Sequence, residues 1–168
     1  TNRHVVSGNS NKDIFIETVS NERLTGKVIF ISRENDFALV KVSGSKLPKP
    51  LPICYAEYPV TGENVIALGS PLGLANTVTR GIVSAVRRSD SDFKSVATDG
   101  ATLIQTDASI NPGNSGGPIV DKLTGGLVGV ATMKLSKDFT KQAFGVESEN
   151  TNYGIKSSQV KDFLEANN

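Results

Sequence analysis

The chain has 168 residues and is close to neutral, with 18 Lys plus Arg against 17 Asp plus Glu. That length suits one domain or two small lobes sharing a site, and the charge balance argues against a nucleic-acid or anionic-membrane binder. A single Cys and a single His argue against a disulfide or a Cys/His zinc site, and no apolar run is long enough for a transmembrane helix or a signal peptide.

Short Val- and Ile-rich runs between turn residues predict strands in chain order. They fall at Asp13–Val19, Arg23–Ser32, Phe37–Val42, Asn64–Gly69, Asn76–Val86, Thr102–Thr106, Pro118–Val120, Gly126–Lys134 and Tyr153–Ile155. Between the third and fourth, the proline-rich stretch 44–52 reads as a linker. Asp90–Gly100 and Ser136–Asn152 are polar and turn-rich, and read as surface loops. After Ser157 and Ser158, both candidate N-caps, Val160, Phe163 and Leu164 recur at helical spacing and predict a short C-terminal helix. Many short strands and no long alternating helices predict an all-β sandwich or barrel.

The segment Asn111-Pro112-Gly113-Asn114-Ser115-Gly116-Gly117-Pro118 carries the clearest chemical signal. Glycines permit positive φ and close approach, so such a loop can bare a hydroxyl and aim backbone N–H groups at one point. Taken alone it also reads as a tight polar turn. His4 taken alone reads as a solvated side chain, and Asp36 as a turn residue before an apolar strand. Together they give the chain order His4, Asp36, Ser115. That is the order of chymotrypsin-like proteases; an α/β-hydrolase needs a His after the Ser, and none follows Ser115. Asp107 reads as a carboxylate that orders its loop, and Cys54 as a small buried hydrophobe.

Three stretches carry a family resemblance: 1–6 around His4, 36–42 from Asp36, and 105–118 ending in the Gly-Asn-Ser-Gly-Gly-Pro block. They resemble the HtrA (Deg) family of trypsin-like serine proteases, as do 67–73 and 77–85. The resemblance implies a chymotrypsin-like double β-barrel in one protease domain, 1–168. The N-terminal barrel part would be 1–58, the C-terminal barrel 63–156 and the helix 157–168. Relatives carry strands before the His motif, so the first barrel is expected to lack its N-terminal strands here, as in a fragment, a processed form or part of a longer chain.

The resemblance also implies roles. His4, Asp36 and Ser115 would be the catalytic triad, and the N–H groups of Gly113 and Ser115 the oxyanion hole. Ser109 would lie at the base of the substrate pocket, with Ile110, Val130, Ala131, Thr132 and Tyr153 as walls. The side chain of Asn114 has no assigned role. With no carboxylate at position 109, a preference for small or branched aliphatic residues is expected over Lys or Arg. The implied partners are unfolded proteins or peptides, without cofactor or metal, in a periplasmic or other extracytoplasmic setting. An oligomer is not derivable. The alternative is a protease fold that binds peptides in an inactive or resting state.

Overall fold

Strands form where β-branched residues alternate with polar ones, and turns fall on Gly, Asn and Asp. The structure, a computed structural model, describes residues 1–8, 13–32, 34–44, 47–54, 59–70, 76–88, 101–134 and 150–167. The first lobe is a three-stranded antiparallel sheet, β1 (Ile14–Glu17), β2 (Arg23–Ile31) and β3 (Ala38–Ser43), in that order. Asn21 takes the left-handed conformation (φ 58°) in the β1–β2 turn, and Asp36 does so (φ 50°) in the β2–β3 turn. Asn and Asp tolerate that region better than most residues. A one-residue bulge interrupts β2 between Val28 and Phe30.

The second lobe is a closed six-stranded barrel. Its strands are β4 (Asn64–Gly69), β5 (Thr77–Arg88), β6 (Thr102–Thr106), β7 (Pro118–Asp121), β8 (Leu127–Lys134) and β9 (Asn152–Lys156). The order β4-β5-β6-β9-β8-β7 closes through β4 and β7, where Ile66 pairs with Val120 and Ala67 with Ile119. Inward residues Val65, Ala67, Val83, Ile104, Ile119 and Val128 fill it, with Ala108, Ile110 and Ala131. The chain crosses the β7–β8 corner on Asp121, whose Oδ1 accepts bonds from the N–H of Leu123 and Thr124 and from the Thr124 hydroxyl.

A second apolar cluster lies outside the barrel. Leu103 of β6, Val130 of β8, and Tyr153 and Ile155 of β9 pack with Phe37, Ala101 and Phe163. β9 is buried from Asn152 to Ile155: Tyr153 and Ile155 face this cluster, while Gly154 lies against Ile119 of the barrel core. Phe163 belongs to helix α2 (Ser157–Ala166) and meets Phe30 and Phe37 of the first lobe, with ring centroids 5.7 and 5.3 Å apart. Burying one such side chain is worth about 1.5–3 kcal/mol, so the helix ties the two lobes together.

The elements read from sequence are present, with ends that move by one to two residues. The serines are not the N-cap of α2: Lys156 occupies that position, and the Ser157 hydroxyl donates to the Cys54 carbonyl at 3.2 Å. A four-residue helix, α1 (Arg3–Val6), was not anticipated, because so short a segment shows no periodicity. The proline-rich stretch ends by pairing with the barrel: Pro52 accepts from the Leu127 N–H at 2.7 Å, and Cys54 donates to the Leu127 carbonyl at 3.0 Å. Cys54 is half-buried and packs on the barrel core. Residues 90–100 and 136–149 of the two expected loops, and 55–58 at the expected lobe boundary, lie outside the described residues. Among the described residues, no helix is long and apolar enough to cross a membrane.

Candidate active site

The first half of the site is built by residues 1–4 lying along the β2–β3 turn. Asn2 bridges Phe37 in antiparallel fashion, the Arg3 N–H donates to the Asp36 carbonyl at 2.7 Å, and the Ala38 N–H donates to the Thr1 carbonyl at 2.9 Å. This stitching sets His4, on α1, beside Asp36. His4 Nδ1 is 2.7 Å from Asp36 Oδ2, and the His4 backbone N–H donates to Asp36 Oδ1 at 3.1 Å. An ionised carboxylate only accepts, so the ring proton belongs on Nδ1 and the Nε2 lone pair is left open. The Arg3 guanidinium adds an ion pair, with Nε 3.7 Å from Asp36 Oδ1.

The second half is the loop between β6 and β7. Gly113 and Gly116 have positive φ (104° and 82°), where a side chain would be strained. Within the loop Asn114 N–H donates to Asn111, Gly116 N–H to Ala131 and Gly117 N–H to Asn114. The N–H groups of Gly113 and Ser115 have no acceptor among the described residues. Two open donors thus flank Asn114, beside a half-buried Ser115.

Thr132 joins the halves. Its hydroxyl donates to Asp36 Oδ2 at 3.3 Å, and its carbonyl accepts from the Ser115 hydroxyl at 3.3 Å. Sequence reasoning had it as a pocket wall. The available signal was a polar residue closing the apolar run Val128–Ala131, and Thr132 is only 6% exposed. His4 and Asp36 are therefore in direct contact. Ser115 reaches them through Thr132 and makes no hydrogen bond to His4 among the described residues.

The remaining candidates divide. Ser109 is exposed, and its carbonyl accepts from the Thr79 hydroxyl at 2.8 Å and from Asn114 Nδ2 at 3.3 Å. Ile110 and Ala131 belong to the barrel core, Val130 and Tyr153 to the second cluster. Tyr153 is buried, and burial pushes its phenol above the ordinary tyrosine value, partly offset by the charge of Arg87. Asp107 does order its loop: its Oδ1 accepts the Ile82 N–H at 2.7 Å. Asn114, which the sequence left without a side-chain role, is buried and hydrogen-bonded. No cluster of metal-ligating side chains occurs among the described residues.

Residues 1–130 match the family model for the trypsin-like peptidase domain. The chain belongs to the trypsin-like peptidase family. Within that family this peptidase domain is of the HtrA type. It is 37% identical over 167 residues to the serine protease Do-like HtrA of Bacillus subtilis, covering 98% of this chain and 35% of that protein. It is 42% identical over 130 residues to a probable periplasmic serine endoprotease DegP-like of Hahella chejuensis, covering 77% of this chain and 26% of that one. The solved structure of the HtrA-type protease AlgW with a decapeptide superimposes with a TM-score of 0.81 at 29% identity, over 99% of this chain and 46% of that one. The peptidase domain thus spans about a third of the length of the curated relatives it matches.

Proposed function

We propose that the domain is a serine endopeptidase in which Ser115 attacks the scissile carbonyl. His4 takes the Ser115 proton on Nε2 and passes it to the leaving amine. Asp36 holds His4 in the required tautomer and stabilises the imidazolium. The Gly113 and Ser115 N–H groups receive the oxyanion; a donor of this kind is typically worth about 10²–10³ in rate. The observation that carries the reading is this pair of open donors, in a loop whose other glycine-rich N–H groups are engaged. The His4–Asp36 contact at 2.7 Å supports it.

Attack requires the Ser115 hydroxyl to turn from the Thr132 carbonyl to His4. That bond favours a resting form as a second reading, in which substrate binding completes the site. Substrates are unfolded proteins or extended peptides, which can pair along a β-strand edge; the AlgW structure carries a decapeptide. Ser109, Ile110, Val130, Ala131, Thr132 and Tyr153 form the pocket and its supports, and favour a small or branched aliphatic residue before the cleaved bond. The Hahella relative is a probable periplasmic endoprotease, which favours an extracytoplasmic setting.

The test is cleavage of unfolded casein by the domain and by Ser115→Ala between pH 5 and 9. Activity that requires Ser115 and rises near neutrality is expected. Activity retained by Ser115→Ala refutes the proposal. Fluorophosphonate labelling that appears only with added peptide selects the resting form.

A further inference from the structure

We propose that Asn114 is a positioning residue that couples the base of the substrate pocket to the nucleophile; this rests on the roles given above to Ser109 and Ser115. The Asn114 side chain is 1% exposed and lies directly before Ser115. Its Nδ2 donates to the Ser109 carbonyl at 3.3 Å, while its Oδ1 has no partner among the described residues. An apolar side chain would avoid the cost of that bare oxygen. It would also remove the side-chain donor that reaches from the nucleophile loop to Ser109.

The surroundings are shaped to hold the amide there. A Cβ at Gly69 would overlap Asn114 Oδ1 and come within 2.8 Å of the Asn114 Cα, so the end of β4 accommodates Asn114 only with glycine at 69. The Ser70 N–H donates to the Gly113 carbonyl at 3.3 Å, and Asn114 N–H and C=O are both engaged inside the loop. Asn114 therefore has little freedom, and movement of Ser109 is passed to the residue beside Ser115. Ser109 has a second anchor, the Thr79 hydroxyl on β5, at 2.8 Å. Thr79 fixes the pocket base to the barrel wall; Asn114 fixes it to the nucleophile and to the open Gly113 and Ser115 donors.

Coupling of this kind makes contacts in the pocket count in the transition state, so they appear in kcat rather than only in KM. Two fluorogenic peptides that differ only by Val or Gly before the scissile bond read this out. The wild-type domain is expected to prefer Val through kcat. In Asn114→Ala the kcat for the Val peptide is expected to fall on the order of 10²-fold, the scale of an ångström-sized misplacement, and that for the Gly peptide by less than about tenfold. Thr79→Val leaves the Asn114 link in place, so it is expected to raise KM for the Val peptide without lowering kcat.

An equal fall of kcat on both peptides in Asn114→Ala assigns the residue to loop folding alone and overturns the proposal, as does no change on either. If Asn114→Ala fails to unfold cooperatively, Thr79→Val decides: a kcat loss on the Val peptide overturns the proposal, and a KM effect upholds it. Ser115→Ala run beside them separates the two levels of inference. Residual cleavage there refutes the nucleophile itself, whereas an inactive Ser115→Ala together with an equal kcat loss on both peptides in Asn114→Ala refutes only the coupling.

Discussion

Replacing Asp36 with Asn isolates what the carboxylate does for His4. Asp36 Oδ1 faces the His4 backbone N–H at 3.1 Å and the Arg3 guanidinium at 3.7 Å, and neither can accept a hydrogen bond. Oδ2 faces His4 Nδ1 at 2.7 Å and the Thr132 hydroxyl at 3.3 Å, and both of these can become acceptors. An amide has one accepting oxygen, so in Asp36→Asn it takes the Oδ1 position and the NH₂ group turns to His4. Nδ1 must then accept, the ring proton moves to Nε2, and His4 can no longer take the proton of Ser115. The expected loss is about 10⁴ in kcat, or roughly 5.4 kcal/mol of transition-state stabilisation. The fold should survive, because Asn tolerates the φ of 50° at this turn as Asp does. Steady-state kinetics on a fluorogenic peptide, with thermal unfolding as the control, measure both. A loss under tenfold in a folded variant, or one confined to KM, refutes the tautomer argument.

Thr132→Val keeps the carbonyl that holds Ser115 and removes the hydroxyl on Asp36. A hydrogen bond to a charged group is worth about 1.5–3 kcal/mol, and this one is long, so kcat should fall about tenfold with little change in KM. Ile119→Ala opens a cavity beside fully buried Val65, Val83 and Val128 and should cost about 2–5 kcal/mol, lowering Tm by at least about 4 °C in a melt. Burial, with the nearby charges of Asp121 and Glu63, pushes the Cys54 thiol above its ordinary value despite a bond from Thr124. Its thiolate fraction at pH 8 is therefore reduced, and iodoacetamide should label the native domain more slowly than the urea-unfolded chain. Equal rates would contradict that burial.

The strands were legible because each is short, β-branched and bounded by turn residues. Asn64–Gly69 and Thr102–Thr106 fall where the pattern ends, and the structure has the same ends. β8 and β9 were harder, since both their faces are buried and period-two alternation is absent. The helix α2 followed from Val160 and Phe163, but its capping did not, because the Ser157 hydroxyl is drawn to a carbonyl distant in sequence. The triad candidates were visible as residue types in a fixed order, with the proposed nucleophile Ser115 marked by its glycines. The contacts of Thr132 and Asn114 were not legible: Asp36 is 96 positions from Thr132 along the chain, and the Asn114 amide meets the Ser109 carbonyl only because their loop folds back on itself.

The sequence alone determined the elements, the chain order of His4, Asp36 and Ser115, and the glycine-rich loop, because backbone preference and residue chemistry are local properties. Tertiary structure decided the rest. Pairing β4 with β7 closes the barrel, and packing Phe163 on Phe30 and Phe37 brings the two lobes together. Only then does one threonine touch both Asp36 and Ser115, and only then do the Gly113 and Ser115 N–H groups stay open while their neighbours are paired. Hydrogen bonds and charge interactions act over a few ångströms, so their partners are set by how the elements pack.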